Sequence, residues 1–391
     1  MVLQPAAGAR DLNPREVEQN REICAALAEV YRLWGYQQVD PPSVERVDTL
    51  EAGGGIEARE LVLLASEERL GLRPELTASI ARAASTRMAQ RPRPLRLWTN
   101  GTIFRSSTGD SGQQRIHEQL QSGVELLGEG SAAADVELIT LLLAAAAKLE
   151  LADHSPQLLI GHHGLLTALL ADVPEPHRAL TRRALTGFDP LALEAIPLAE
   201  PLQQRLRAVM RLRGGASEVL YALEQWLGPI PLLTDLQQVL MAVAPAAERG
   251  GVSLRLDPTF QPHFALYDGL VLKLVCRGRQ APLEIASGGR YDALVGRFTD
   301  LASAAAGVGF GFDVEALREL LGHGWGLVKQ TAAVLVSYAA STCLPAALEA
   351  QRLLHQQGVV AELHPETLPS QEQADAIATA RGCSRALWLA P

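Results

Sequence analysis

The segment Leu72-Arg73-Pro74-Glu75-Leu76-Thr77 sets a carboxylate and a hydroxyl two positions apart at the exit of a predicted strand. Glu75 could receive an ammonium group there, with Thr77 adding a second polar contact. The same pair at a helix start could equally serve as caps. Further on, Gly101-Thr102-Ile103-Phe104-Arg105 ends an apolar strand on a guanidinium, a planar fork that suits a carboxylate or a phosphate over a cleft. Gln121, Gly123 and Glu125 then alternate along a returning strand and share one face. Polar side chains turned inward on an apolar strand need partners, which a polar ligand can supply. A buried Arg105–Glu125 ion pair without any ligand fits the spacing as well.

Two glycine-rich segments follow. Ala286-Ser287-Gly288-Gly289-Arg290-Tyr291-Asp292, with Ala265-Leu266-Tyr267-Asp268-Gly269-Leu270 before it, would let backbone approach closely and aim Tyr291 and Tyr267 at whatever sits there. A Gly-Gly pair is also an ordinary turn. Gly307-Val308-Gly309-Phe310-Gly311-Phe312-Asp313 alternates glycine along a strand, leaving room for a ligand or a close helix. It is not a dinucleotide fingerprint, because the Gly-x-Gly-x-x-Gly spacing and a following βαβ unit are missing. His162-His163 lacks a carboxylate or cysteine at ligand spacing and reads as loop or cap, so no metal site is expected. Arg205, Arg207, Arg211 and Arg213 read as a solvated helix face.

The elements that must carry these residues can be traced along the chain. Asn13 to Trp34 predicts a helix with Asn13 as cap, Pro14 in its first turn, and Ile23, Leu27, Val30, Tyr31 and Trp34 on one face. Gly35 stops it, and Tyr36 to Val39 reads as a short strand. Glu60 to Ala65 and Leu70 to Leu72 suggest a hairpin, followed by a helix from about Leu76 to Met88. Leu95 to Phe104 and Gln121 to Leu127 predict two strands joined by a polar loop, as in an antiparallel sheet with helices on one face. Asp135 to Leu151 predicts a buried helix, and 165–250 an almost wholly helical insertion. Strand signals return at Ser253 to Leu256, Ala265 to Cys276 and Ala305 to Phe312. Ala332 to Pro391 alternates strand and helix, as a small, mainly parallel α/β domain does.

Length and composition bound the answer. A chain of 391 residues suggests two or three domains, and 48% hydrophobic with 20% charged residues is a globular balance. No apolar run approaches the roughly 20 residues that span a bilayer. Met1 to Arg10 shows no leader pattern, and four scattered cysteines fit a reducing cytoplasm. A net charge of −9 lowers the odds of a dedicated nucleic-acid binder.

In this order the four segments resemble the histidyl-tRNA synthetase family, over roughly Leu12 to Leu321 and more loosely beyond. Tyr36 to Glu45 looks like the dimer-forming first class II motif, Phe104-Arg105 through Glu125 like the second, and Gly309 to Leu317 like the third. The resemblance implies an α+β fold: a class II aminoacyl-tRNA synthetase-like antiparallel sheet with helices over 1–325, and a truncated anticodon-binding-like α/β domain over 326–391. It also implies that Glu75, Thr77 and Gln121 surround the amino group of histidine. Glu125 and Tyr267 would address the imidazole, Arg105 would lie near the carboxylate, and Tyr291 would line the pocket.

The departures fall where the synthetases handle ATP. Ser107 stands where the second motif carries a glutamate, Ala316 follows Glu315 where the third carries an arginine, and Pro262 stands at an arginine used in catalysis. Two lost cations at a developing phosphorane would slow adenylation by orders of magnitude. The chain therefore looks most like the regulatory subunits of short-form ATP phosphoribosyltransferases, which lack aminoacylation activity. That resemblance implies a synthetase-like homodimer in a hetero-octamer with a small catalytic subunit, free histidine as feedback effector, and no cofactor. No tRNA binding and no membrane are expected. The alternatives are an active histidine–tRNA ligase, which the three departures oppose, and a paralogue that senses uncharged tRNA.

Overall fold

Asn13 opens α1 (Pro14–Leu33) with a reciprocal cap. Its side chain accepts from the Glu16 amide at 3.0 Å, while the Glu16 carboxylate accepts from the Asn13 amide at 2.9 Å. Ile23, Leu27, Val30 and Tyr31 form the buried face, and Gly35 leaves the helix at φ +80°. This computed structural model describes residues 5–52, 56, 58–109, 112–261, 266–299, 301, 304–322, 325–326, 332–342 and 344–390. They fall into two compact units, Met1–Trp325 and Gly326–Pro391.

In the first unit, β1 (Gln37–Gln38) is followed by β2 (Val44–Arg46), α2 (Val47–Ala52), β3 (Val62–Leu63), β4 (Leu70–Leu72) and α3 (Thr77–Ser85). Strands β2, β4 and β3 make a small antiparallel sheet that delivers the chain to Glu75 and Thr77. The hairpin of β5 (Leu95–Thr108) and β6 (Gln114–Leu127) is longer than the side-chain pattern predicts. Its outer half, read as loop, carries polar residues on both faces. Backbone pairing holds it as strand where side-chain alternation gives no signal.

The unit continues through α4 (Ala132–Lys148), β7 (Gln157–His162), α5 (His163–Leu169), α6 (Glu175–Thr186), α7 (Pro190–Glu194), α8 (Glu200–Arg211), β8 (Gly214–Gly215), α9 (Ala216–Leu227) and α10 (Pro231–Arg249). The expected helical insertion thus contains one two-residue edge strand, β8, which pairs with the next element. Then come β9 (Ser253–Leu256), β10 (Leu270–Arg277), β11 (Pro282–Arg290), α11 (Asp292–Gly296), β12 (Gly307–Asp313) and α12 (Val314–Leu321). The start expected for β10, Ala265, lies outside the described residues.

The large sheet has nine strands in the order β1-β5-β6-β12-β11-β10-β7-β9-β8. It is mixed rather than purely antiparallel, since β1 runs parallel to β5 and β7 parallel to β9. Helices occupy both faces, where one was expected. On one side α1, α4 and α10 pack on Trp98, Val124, Ile160, Leu272 and Phe310. On the other, short α3 and α11 cover Leu95, Leu97, Ile103 and Leu127 and leave the middle of the sheet open. The glycine pair Gly288–Gly289, which reads as a turn, lies instead within β11 between two neighbours. A Cβ at Gly288 would sit 2.2 Å from the Gly309 carbonyl oxygen, so glycine there sets the closeness of β11 and β12.

The second unit comprises β13 (Val334–Tyr338), α13 (Leu344–Gln356), β14 (Ala361–Leu363), α14 (Gln371–Ala380) and β15 (Arg385–Leu389). Its three strands are parallel in the order β14-β13-β15, the pattern expected of alternating strand and helix. No helix among the described residues is long and apolar enough to cross a membrane.

Candidate functional site

The uncovered middle of the large sheet is the floor of a cavity. Strands β5, β6, β11 and β12 supply Thr99, Arg105, Gln121, Glu125, Ser287 and the Cα atoms of Gly309 and Gly311. The start of α3 supplies Glu75 and Thr77, and the turns before β10 and α11 supply Tyr267 and Tyr291. All seven residues singled out from sequence, Glu75, Thr77, Arg105, Gln121, Glu125, Tyr267 and Tyr291, therefore face one space. It offers about 80 Å³ to the centres of water molecules. That is room for several waters or one small polar molecule.

Glu125 is at the centre and is 5% exposed. Thr77 Oγ1 donates to its Oε1 at 2.7 Å, and the Tyr291 hydroxyl donates to its Oε2. Burial pushes its carboxyl up to about 8, against the pull of these two hydroxyls, and the nearby Glu75 charge adds to the rise. Thr77 thus reaches Glu125 in this structure, rather than standing with Glu75 and Gln121 alone. Glu75 does two things at once. Its carboxylate accepts from the Ala78 amide at 3.0 and 3.2 Å, as a helix cap does, and it also faces the cavity. Burial raises its pKa, while the Ala78 and Thr77 amides, the Thr77 hydroxyl and the Arg105 charge hold it down.

Arg105 donates from Nε to the Pro74 carbonyl at 3.0 Å. Burial lowers its pKa, opposed first by the charge of Glu75. The tyrosine hydroxyls of the cavity are pushed up by burial and by the Glu125 charge. The space thus presents two carboxyl groups, a guanidinium, an amide and hydroxyls around one cavity. Such a set complements a small molecule that carries both an ammonium and a carboxylate, with a further N–H donor beyond them.

Sequence reasoning assigned no individual role to three contributors. Thr99 lines the cavity without any motif to mark it, and Ser287 does so from within the Gly288–Gly289 segment. Gly309 is the third: a Cβ there would lie 1.7 Å from Glu125 Oε2, so the strand must be bare where Glu125 crosses it. The glycine alternation of β12 carried that signal. Arg290, beside the cavity wall, binds Asp135 through Nη2 at 2.7 Å and Asp292 through Nη1 at 3.1 Å. It also donates to the carbonyls of Glu129 and Ser131, both at 3.3 Å, and so ties β11 to the start of α4.

A second cavity of about 510 Å³ opens at the start of α12, beside Ala316. Its lining includes Arg10, Arg279 and Arg318, together with Glu16, Asp313, Glu315 and Glu319. Arg10 pairs with Glu16 at 2.8 Å, and Arg318 meets Asn20 at 2.6 Å and Glu16 at 3.6 Å. Its three guanidinium groups thus stand among four carboxylates, and the lining carries no surplus of positive charge. Ser107 Oγ lies 2.8 Å from His117 Nε2, across the hairpin. Pro262 lies outside the described residues. His162 is a cap for α5, its Nδ1 accepting from the Gly164 amide at 2.9 Å. In the arginine run, Arg205 pairs with Asp172 at 2.5 Å and Arg207 with Glu194 at 3.1 Å.

A family model described as Histidyl-tRNA synthetase matches residues 8–317. The chain is 50% identical over 394 residues to an ATP phosphoribosyltransferase regulatory subunit of Synechococcus sp. (strain RCC307), with 100% of each covered. It is 48% identical over 390 residues to the protein of that name in Prochlorococcus marinus (strain MIT 9303), again with 100% of each covered. Among solved structures, an ATP phosphoribosyltransferase regulatory subunit/histidyl-tRNA synthetase from Bacillus halodurans C superposes with a TM-score of 0.82 at 25% identity, covering 100% of this chain and 99% of that one. A histidyl-tRNA synthetase from Nostoc sp. PCC 7120 shares the fold with a TM-score of 0.75 at 19% identity, covering 100% and 92%.

Proposed function

The chain belongs to the histidyl-tRNA synthetase family, beside relatives named as regulatory subunits, and we propose that it serves ATP phosphoribosyltransferase as a non-catalytic subunit that senses free histidine. In this role it supports the first step of histidine biosynthesis and conveys feedback inhibition. The observation that carries the reading is the convergence of Glu75, Thr77, Arg105, Gln121, Glu125, Tyr267 and Tyr291 on one small cavity. Histidine matches it group by group. Its ammonium meets Glu75 and Gln121, its carboxylate meets Arg105, and its imidazole meets Glu125 and Tyr267, with Tyr291 as a wall.

Adenylation needs cations at the developing phosphorane, and each missing donor of that kind costs about 2.7–4 kcal/mol. Ala316 and Ser107 offer neither a guanidinium nor a carboxylate for ATP. The cavity beside Ala316 is charge-balanced by acids. Catalysis then resides in a separate small subunit, with which this chain forms a hetero-octamer through synthetase-like homodimers in the cytoplasm. The 326–391 unit, with its three-stranded parallel sheet, has no tRNA role in this scheme.

Calorimetry of histidine against the purified chain tests the pocket. The expected result is one site per chain, weakened at least tenfold by Glu125→Ala and by Tyr267→Phe, a tenfold change being 1.4 kcal/mol. Unchanged affinity in both variants removes the pocket assignment. Robust histidine-dependent ATP–pyrophosphate exchange would instead make the chain a working ligase.

A further inference from the structure

Asp268 stands outside the cavity, exposed, yet it joins the two segments that carry the cavity's tyrosines. Its Oδ1 accepts from the Asp292 amide at 3.1 Å and its Oδ2 from the Ala293 amide at 2.6 Å. Its own amide donates to the Arg290 carbonyl at 2.9 Å. Tyr267 immediately precedes Asp268, and Tyr291 lies between Arg290 and Asp292. One side chain and one amide therefore grip the backbone on both sides of Tyr291, from the residue next to Tyr267.

Tyr291 belongs to the buried cluster that holds Ile80, Leu294 and Val295, and Tyr267 packs against that cluster. Tyr267 leans on Gly289, where a Cβ would come within 2.8 Å of its Cδ1. Tyr291 leans on Gly307, where a Cβ would come within 2.4 Å of its Cε2. Packing sets the height of each ring, and the backbone on either side sets the point from which it reaches into the cavity. The hydroxyl of Tyr291 must still meet Glu125 Oε2 to hold that carboxylate in place. Charge-assisted bonds to two successive amides are directional and strong enough to set such a position.

The geometry points to Asp268 as a positioning residue that fixes Tyr267 and Tyr291 together, so that both rings and Glu125 keep one arrangement around the ligand. This rests on the histidine reading of the cavity. Asp268 touches no ligand and acts through the tyrosines. Because it is exposed, removing it leaves no hole in the core.

A double-mutant cycle separates positioning from simple stabilisation. In the otherwise intact chain, Asp268→Ala should weaken histidine binding roughly tenfold, the size of one lost charge-assisted pair. Asp268→Asn, which keeps one acceptor, should recover part of that. In a Tyr267→Phe/Tyr291→Phe background the same Asp268→Ala change should cost less than about threefold. An equal factor in both backgrounds overturns the inference. Near-UV circular dichroism of the ligand-free chain supplies a readout that needs no histidine. Asp268→Ala should reduce the tyrosine band that is also lost in the double phenylalanine variant, with the far-UV helix signal retained. An unchanged band sinks the clamp. Absence of histidine uptake by the unaltered chain with a reduced band would instead sink the ligand and leave the clamp standing.

Discussion

Glu125 holds a proton under conditions in which an ordinary carboxylate has released it. Its folded pKa of about 8 stands above the usual 4.5, because burial outweighs the hydroxyls of Thr77 and Tyr291. The groups that face it are Thr77 and Glu75 from the start of α3, Tyr291 and Tyr267 from the turns beside β11 and β10, and the bare backbone of Gly309 in β12. Between pH 4.5 and about 8 the folded chain therefore binds a proton that the unfolded chain lacks. The stability contributed by this group is complete below the lower value, falls as pH rises, and is lost through the upper one. The total is on the order of 2–5 kcal/mol. Glu125→Gln, which keeps the shape and cannot ionise, should flatten this decline. Melting curves of both chains from about pH 5 to about pH 9 would check it, and two parallel sets of curves would show that Glu125 is not protonated in the folded state. The residue types around Glu125 were legible in sequence. The partner chosen by Thr77 was not, because hydroxyl direction depends on a strand crossing 48 residues away.

Arg290 links elements rather than forming the cavity. Its guanidinium holds Asp135 at the start of α4 and Asp292 at the start of α11, so the end of β11 is tied to helices on both faces of the sheet. Arg290→Met keeps apolar bulk and leaves the partly buried Asp135 without its cation. A loss of roughly 2–4 kcal/mol follows, somewhat below the full cost of a broken buried pair because Asp292 keeps partial solvent contact. The urea midpoint of the Arg290→Met chain measures this, and a midpoint equal to that of the parent would remove Arg290 from the framework. Elements with strong local signals could be read directly, such as α1 from its cap and its 3.6-residue apolar face, and the second unit from its alternation. Strand β11 could not, because glycine pairs give no side-chain alternation and their meaning comes from neighbours on either side. The outer half of the β5–β6 hairpin was hidden for a related reason: polar residues on both faces of a two-stranded ribbon look like loop until the pairing is known.

In the proposed sensing role, binding histidine and supporting a catalytic partner must be separable. Inhibition requires histidine to favour the inhibited assembly over the active one, and this difference is a coupling free energy of about 1–3 kcal/mol, or roughly 5–150-fold. Glu125 is buried at the cavity, so truncating it alters the pocket and removes little surface that a partner could meet. Glu125→Ala should therefore leave the chain able to activate the condensation of ATP with phosphoribosyl pyrophosphate by the catalytic subunit. Half-inhibition by histidine should move to concentrations at least tenfold higher in that assembly, following the lost affinity of the pocket. Reciprocity supplies an independent check: histidine should bind the inhibited assembly more tightly than the active one by the same factor by which it shifts their equilibrium. An assembly that activates fully with Glu125→Ala and is still inhibited at the original histidine concentration would place the effector site elsewhere. An assembly that fails to activate at all would make the cavity part of the framework that holds the subunits together.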